Sequence, residues 1–471
     1  MHPDLLNAHF EVNVTDLPTA PCLAWLYLLY ALPMIVFLAV AMPPFQVADE
    51  YSHTLRADQV SRSILISPRL GGNVSGGLRE FGHLYRDMRL NENVKLDVDT
   101  ARAAAAITWA QPDQDENFQN TAQYGPLLYL PQAVGLWFGR LTHLNPVWTV
   151  LVARLMNASV AVALAFFALR ICRHGRALLF TTLLLPITAS EFASTSQDAL
   201  IISLCLFVVA IASRILAEDR AAKIREFALL VSVVVATTMA RPSQLLIATL
   251  GAAFVDGSRM VRWCKAAIAV FGIILIVAWM ITLRKLMPEE PSGASVSGQL
   301  NAMIWHPLLL PKVLMITLKQ GGFWLFETMV DRLGWLDAPS ARWYTWVALV
   351  ALACAWMAPG NRPPWMRPAL LAALTFVAIL MATAAALYAS WTPIGKMTID
   401  GVQGRYLLPV LPLLGWMAPA YRDRVARILS PLWIAVTAFP LLSMACLPET
   451  IMMRYYGSWS NMGNVLHVLF H

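Results

Sequence analysis

The chain has 471 residues, of which 58% are hydrophobic and only 13% charged, with a mean hydropathy of +0.58; that balance excludes an ordinary soluble domain and makes lipid the main solvent. The formal net charge of +7 does not gather into a basic patch but stands in short clusters between apolar runs, the pattern of membrane topology, and no nucleic-acid partner is expected. Cys22, Cys172, Cys205, Cys264, Cys354 and Cys446 are widely spaced with no C-x-x-C pair, which argues against a disulfide framework or a zinc site.

In lipid every backbone polar group must be paired internally, and long Leu/Ala/Val/Ile runs without alternation select helices over a barrel. The expected fold class is all-α: a polytopic helical membrane protein forming one integral membrane domain over residues 1–471. In chain order, apolar runs near 22–42, 147–169, 177–190, 198–216, 226–240, 243–256, 266–283, 344–358, 368–389, 406–420 and 429–447 predict about eleven crossings. The first exceeds a signal-peptide core and lacks a basic leader, so it reads as an anchor. Five basic clusters fall on one side of the alternating scheme: Arg170, Arg173 and Arg176; Arg214, Arg220, Lys223 and Arg225; Arg259, Arg262 and Lys265; Arg362 and Arg367; Arg422, Arg424 and Arg427. The positive-inside rule makes that side cytoplasmic. The N-terminus, with no Lys or Arg before Arg56, is placed inside by the same alternation.

Two long polar segments then lie outside, at 43–146 and 284–343. The first ends in a run from Tyr124 to Leu141, too punctuated by Pro126 and Pro131 for a crossing and expected as an amphipathic interfacial helix. In the second, Trp305 to Lys319 reads as another amphipathic helix, which Gly321 and Gly322 break before the aromatic-rich FWLFETMVDRLGW.

Three places in this framework carry chemistry. In PPFQVADEYSH, Asp49 and Glu50 follow the first span and His53 comes one helical turn later. A carboxylate at the mouth of a membrane cavity is partly desolvated and suited to take a proton from a hydroxyl nucleophile; the competing reading makes Asp49 a helix N-cap after a Pro-rich turn. In SEFASTSQDAL, Glu191 and Asp198 stand between apolar runs, where ionisable groups are costly and face a cavity, although Thr195 or Ser196 equally caps the helix that Asp198 opens. In GVQGRYLLPVLPLL, Arg405 sits at the outer end of a span beside Gln403 and Tyr406, with Lys396 upstream. A guanidinium there is shaped for bidentate contact with a lipid phosphate, or snorkels to headgroups. Arg241 in ARPSQ and Arg154 in LVARLMN fall on the same outer side. The D-x-D at Asp97 and Asp99 is the pattern best suited to a divalent cation, but the tripeptide is common by chance in polar loops, and no metal ligand is assigned. There is no G-x-x-x-x-G-K-[ST], G-x-G-x-x-G or G-x-S-x-G motif, so nucleotide-driven pumping and serine hydrolysis lack support.

Taken together, PPFQVADEYSH, AQYGPLLYLPQAVG, STSQDAL and GVQGRYLLPVLP resemble a bacterial family of polytopic membrane proteins known as a domain of unknown function, and that family looks like a branch of the GT-C superfamily of membrane glycosyltransferases. The likeness runs from about Pro43 to Pro412. It implies a GT-C-like plan in which an acidic residue of the first outer loop is the catalytic base: Asp49 by position, with Glu50 as near alternative and Asp198 as another, because PPFQVADE departs from the acidic signatures of better-studied branches. It further implies transfer of a hexosyl or pentosyl group, usually with inversion, from a polyprenyl-phosphate-linked donor to an envelope glycan or glycolipid acceptor. The transfer is placed on the outer face of a bacterial cytoplasmic membrane. Arg405, helped by Lys396 or Arg241 and flanked by Gln403 and Tyr406, would stabilise the departing lipid phosphate. His53, Tyr124, Gln132, Asp198 and Arg154 would line the cavity, with Tyr124 and Gln132 facing sugar or lipid. Beyond a possible divalent cation, no cofactor is implied. A transporter or flippase of lipid-linked saccharides and a repeat-unit polymerase compete with this reading, but clustering at one face and the lack of an internal repeat favour the enzyme.

Overall fold

The computed structural model describes residues 20–254, 258–286, 295–360, 366–419, 421, 425 and 428–470. The N-terminal segment through residue 19, Arg362, Arg422, Arg424 and Arg427 lie outside the described residues.

Among the described residues six helices are long and apolar enough to cross a membrane: Pro21–Ala41, Pro146–Ile171, Asp198–Ala217, Arg259–Thr282, Met366–Ser390 and Leu432–Tyr456. A seventh candidate is a bent pair, Val296–Trp305 with Leu309–Val330, turning through 107°. We label Ala20–Ala41 α1, Glu50–Ser61 α2, Gly76–Leu84 α3, Val98–Ala106 α4, Gln119–Ala122 α5, Leu130–Leu141 α6, Pro146–Ile171 α7, Arg176–Leu183 α8, Pro186–Phe192 α9, Asp198–Ala217 α10, Ile224–Thr238 α11, Arg259–Leu286 α12, Val296–Trp305 α13 and Leu309–Val330 α14. Arg342–Met357 is α15, Met366–Ser390 α16, Leu432–Ile451 α17 and Trp459–Phe470 α18.

Six expected runs thus coincide with long helices. The other five fold as short or broken pieces: α8 and α9 for 177–190, α11 for 226–240, the 3-10 stretch Pro242–Phe254 for 243–256, α15 for 344–358, and the 3-10 turns Gly404–Leu407 and Leu411–Met417 for 406–420. Proline accounts for several of these breaks, because it restricts the residue before it and opens a new helical turn. Pro186 begins α9 and Pro242 begins its 3-10 stretch. In the apolar window of α10, 72% is buried, against 17% in α12, so α10 lies at the centre of the bundle and α12 keeps most of its apolar surface on the outside.

The 43–146 segment is ordered throughout. It holds α2 to α6 and a two-stranded antiparallel sheet, β1 (Gly71–Val74) with β2 (Gln114–Asn117), in which Gly71 pairs Asn117 and Val74 pairs Gln114. The expected interfacial helix is α6. It turns Leu130, Val134, Trp137, Phe138 and Leu141 outward and buries Gln132, Ala133, Gly135, Leu136 and Gly139, an outward apolar stripe suited to the lipid boundary. Its inner face lies directly on α7: a Cβ on Gly135 would stand 2.5 Å from the Ala153 Cα, so only a residue without a side chain permits this approach.

Gly321 and Gly322 do not break a helix; α14 runs from Leu309 to Val330 through both. The break lies upstream at His306 (φ −127, ψ 76), which precedes Pro307 and is pushed out of helical geometry by it. A glycine inside a helix costs only about 1 kcal/mol relative to alanine, less than the surrounding 22-residue helix supplies, so the chain carries the pair through.

Candidate functional site

The site begins with the turn after α1. Phe45 (φ 65) and Asp49 (φ 62) both adopt the left-handed conformation, which costs a residue with a Cβ roughly 1–2 kcal/mol and persists only where surroundings enforce it. The enforcing contact is Arg154 of α7. Its guanidinium donates to the carbonyls of Ala39 and Met42 at 2.9 and 2.8 Å and of Pro43 at 3.2 Å, and it grips both Glu50 carboxylate oxygens at 2.7 Å. Glu50 is fully buried and also accepts the Thr195 N–H at 3.2 Å. With its oxygens held in this way, Glu50 ties α1, α2, α7 and the entry to α10 together.

Asp49 faces the other way. It stands at the N-cap position of α2, yet its side chain makes no capping bond. One oxygen accepts from Asn120 Nδ2 at 3.1 Å, the other lies 3.8 Å from Arg405 Nη2, and the side chain is 37% exposed. The capping alternative therefore fails on geometry.

Behind Asp49 lie two closed ion pairs. The link from α9 to α10 folds on its own hydroxyls: Ser194 Oγ donates to the Glu191 carbonyl, and Ser196 Oγ accepts the Asp198 N–H at 3.1 Å. Gln197 stands at the N-cap position of α10 with no side-chain cap, so neither Thr195 nor Ser196 caps the helix; the Ser196 contact only steadies the turn ahead of it, and the Asp198 carboxylate meets Arg241 at 2.5 Å. Arg405 meets Glu191 at 2.5 Å. The Arg405 turn is held by α14, where Thr328 Oγ1 accepts the Gly404 N–H at 2.8 Å, and a Cβ on Gly404 would stand 2.1 Å from the Leu325 carbonyl oxygen. Tyr406 lies between the two cations, its ring centre 4.5 Å from the Arg241 guanidinium and 5.7 Å from that of Arg405. Three carboxylates (Asp49, Glu191, Asp198) thus face two guanidiniums (Arg241, Arg405). Buried Glu191 Oε2, Asp198 Oδ1, Gln403 Oε1 and Arg405 Nε have no hydrogen-bond partner among the described residues.

His53 closes this group. Its Nδ1 lies 2.6 Å from the Tyr129 hydroxyl, and its ring stacks on Tyr124 at 6.2 Å between centres. Burial pushes the imidazole down to about 4, against the pull of Asp198 and Asp49 and with the help of Arg405 and Arg241, so it is a neutral hydrogen-bonding group near pH 7.

Residues from 49 to 405 therefore converge on one place, and the same stretch decides the family. A model of the family described as "Predicted membrane protein (DUF2142)" matches residues 32–414. The chain belongs to this family. No curated protein and no solved structure matches it. The family region contains the whole cluster, from the turn after α1 to the Arg405 turn, and leaves out α17 and α18.

Other expected site residues lie differently. Lys396 forms an exposed pair with Asp400 at 2.6 Å. Gln132 is fully buried and donates to the Leu128 and Thr195 carbonyls at 3.2 and 3.3 Å, which pins α6 to the α10 entry instead of turning the amide to a cavity. Arg154 belongs to the Glu50 brace. Asp97 caps α4 by accepting the Thr100 N–H at 2.7 Å, and Asp99 pairs with Arg102. Among the described residues no group of three or more His, Cys, Asp or Glu is placed to hold a metal. The sequence reading did not single out Asn120, which orients Asp49, or the buried Arg56, whose guanidinium ties the Tyr124, Ile64 and Leu65 carbonyls together. No local pattern marks either one.

Proposed function

We propose that the chain is a membrane glycosyltransferase of the GT-C type, moving a sugar from a polyprenyl-phosphate donor to an envelope glycan or glycolipid acceptor. The reaction is placed on the outer face of a bacterial cytoplasmic membrane crossed about eleven times. One observation carries this reading: of the four carboxylates gathered at this end of the bundle, Glu50, Glu191 and Asp198 are buried and locked by arginines, while Asp49 alone keeps an accessible edge.

A base must reach the proton that it takes, so accessibility selects Asp49. In the proposed step an Asp49 oxygen accepts the proton of an acceptor hydroxyl while that hydroxyl oxygen bonds to the anomeric carbon of the donor. The bond from that carbon to the phosphate oxygen breaks on the opposite face, the electron pair leaves with the polyprenyl phosphate, and the anomeric configuration inverts. Asn120 and Arg405 hold the carboxylate in place, and Tyr124 and His53 shape the wall beside it. The test is sugar transfer by the full-length protein in nanodiscs supplied with polyprenyl-phosphosugar and acceptor. Asp49→Asn is expected to lower the rate by about 10²–10⁴-fold; an unchanged rate would remove Asp49 as base.

A flippase reading is favoured by a different observation. The charged cluster sits on broken pieces, α9 and the 3-10 segments that carry or adjoin Arg241 and Arg405, and discontinuous helices around a polar site are a transporter habit. Vesicle flipping of a labelled polyprenyl-phosphosugar separates the two, since flipping does not need the Asp49 proton transfer.

A further inference from the structure

The cations that the sequence offers for the donor phosphate are all compensated: Arg405 by Glu191, Arg241 by Asp198 and Lys396 by Asp400. A phosphate arriving beside Asp49 adds negative charge where carboxylates already outnumber guanidiniums, so it requires a cation whose charge is still open.

Arg89 meets that requirement. It is exposed, follows the 3-10 turn Arg86–Met88, and its guanidinium has no ion pair among the described residues. Its Cζ lies 3.5 Å from the centre of the Trp335 ring. At that distance the indole covers one face of the guanidinium and leaves its edge N–H groups open, the arrangement that presents arginine to an oxyanion.

Trp335 is fixed to the catalytic turn. Its indole N–H donates to the Phe45 carbonyl at 3.2 Å, and Phe45 and Asp49 are the two left-handed residues of one turn. The Trp335 loop is itself closed. Leu333 and Ala338 pair across it, Gly334 (φ 67) and Leu336 (φ 66) reverse the chain, and the Trp335 N–H donates to Asp337. Arg454 then clamps the other Asp337 oxygen at 2.6 Å. Arg89 also lies within Coulombic reach of Asp49. Leu90, next in the chain, is 64% exposed and gives the rim an apolar edge.

We propose that Arg89, stacked on Trp335 at the rim of the Asp49 turn, binds the phosphate of the lipid-linked donor. The identity of the donor rests on the glycosyltransferase reading; the anion site itself does not. Anchored through Phe45, the stack holds the phosphate a fixed distance from the base that starts the reaction, and its charge develops against a cation that no carboxylate among the described residues pairs directly, Asp49 acting on it only at a distance.

The experiment titrates full-length protein in nanodiscs with farnesyl phosphate and, separately, with glycerol phosphate. Arg89→Ala is expected to weaken farnesyl phosphate binding by about tenfold or more, with Arg89→Lys in between, because an ammonium keeps the charge and loses the stacked fork. Arg102→Ala, on the far-exposed Asp99 pair, serves as the surface control and is expected to bind as wild type. Arg89→Gln replaces the alanine variant if the latter does not fold. An equal loss for glycerol phosphate, at similar affinity, would overturn the lipid-borne source in favour of a soluble phosphate ester. Unchanged farnesyl phosphate binding in folded Arg89 variants would overturn the site. If that happened while Asp49→Asn still lost transfer, only this inference would fail; lost binding in Arg89→Ala with undiminished transfer in Asp49→Asn would sink the base and spare the phosphate site.

Discussion

Asp49 and Glu50 are neighbours in the chain and opposites in the fold. Glu50 is sealed in a bidentate pair with Arg154 that also gathers the last carbonyls of α1. Asp49 is held at arm's length from Arg405 with part of its surface open. The left-handed conformation of Asp49 sends two successive carboxylates to opposite sides, so one dipeptide supplies both a structural brace and an open carboxylate edge. Acidic residue type alone thus says little about role; what distinguishes the two is whether a buried cation has closed around the oxygens.

The strongest way to break this contrast is to exchange the roles. Asp49→Asn removes the proton acceptor and keeps its shape, so transfer is expected to fall by about 10²–10⁴-fold with no change in thermal midpoint in detergent; a large drop in stability would mean that Asp49 too is a brace. Glu50→Ala leaves Arg154 buried without its anion and is expected to cost about 3–5 kcal/mol, read as loss of folded protein on size-exclusion chromatography. Recovery of wild-type yield would contradict the brace.

The pH dependence sharpens the comparison from a neighbouring group. His53 titrates near 4 in the folded protein and near about 6.5 when unfolded, so the unfolded chain binds its proton first as pH falls. The stabilising share of neutral His53 is therefore complete above about pH 6.5 and is lost progressively toward pH 4, by about 3 kcal/mol in all. His53→Gln should flatten that part of the stability profile in thermal melts from pH 7 to pH 4; an unaltered profile would show that His53 is not held neutral. The smallest effect is expected from Gly404→Ala, whose methyl meets the Leu325 carbonyl and Met329. Displacing the Arg405 turn should cost about 1–3 kcal/mol and lower transfer more than an alanine placed at Gly463, where a Cβ meets nothing within 4 Å.

Much of this arrangement was legible in the sequence, and what was not has a physical reason. Apolar length alone located the six long helices, because hydrocarbon thickness sets it. The convergence of Asp49, Asp198, Arg241 and Arg405 on one end of the bundle followed from alternation along the chain. Pairing did not follow: Arg154 and Glu50 are 104 positions apart, and Arg405 and Glu191 are 214 apart, so neither periodicity nor spacing reveals which cation closes on which anion. Lys396 looked like a helper for Arg405 and instead meets Asp400 four positions ahead in an irregular loop. The Gly321–Gly322 pair misled because a cost of about 1 kcal/mol per glycine is small beside what a 22-residue helix supplies around it. Arg89 and Trp335 come from two segments far apart in the chain and meet only through tertiary folding.

Asp49 is the open carboxylate of an otherwise closed cluster, and the proposed reaction needs it to take the acceptor proton. The most direct measurement is sugar transfer per folded molecule, with polyprenyl-phosphosugar and acceptor in nanodiscs, for wild type and Asp49→Asn at matched amounts of monodisperse protein. The account predicts a variant that folds and binds farnesyl phosphate like the wild type yet transfers almost no sugar. Transfer at the wild-type rate by that variant would contradict it.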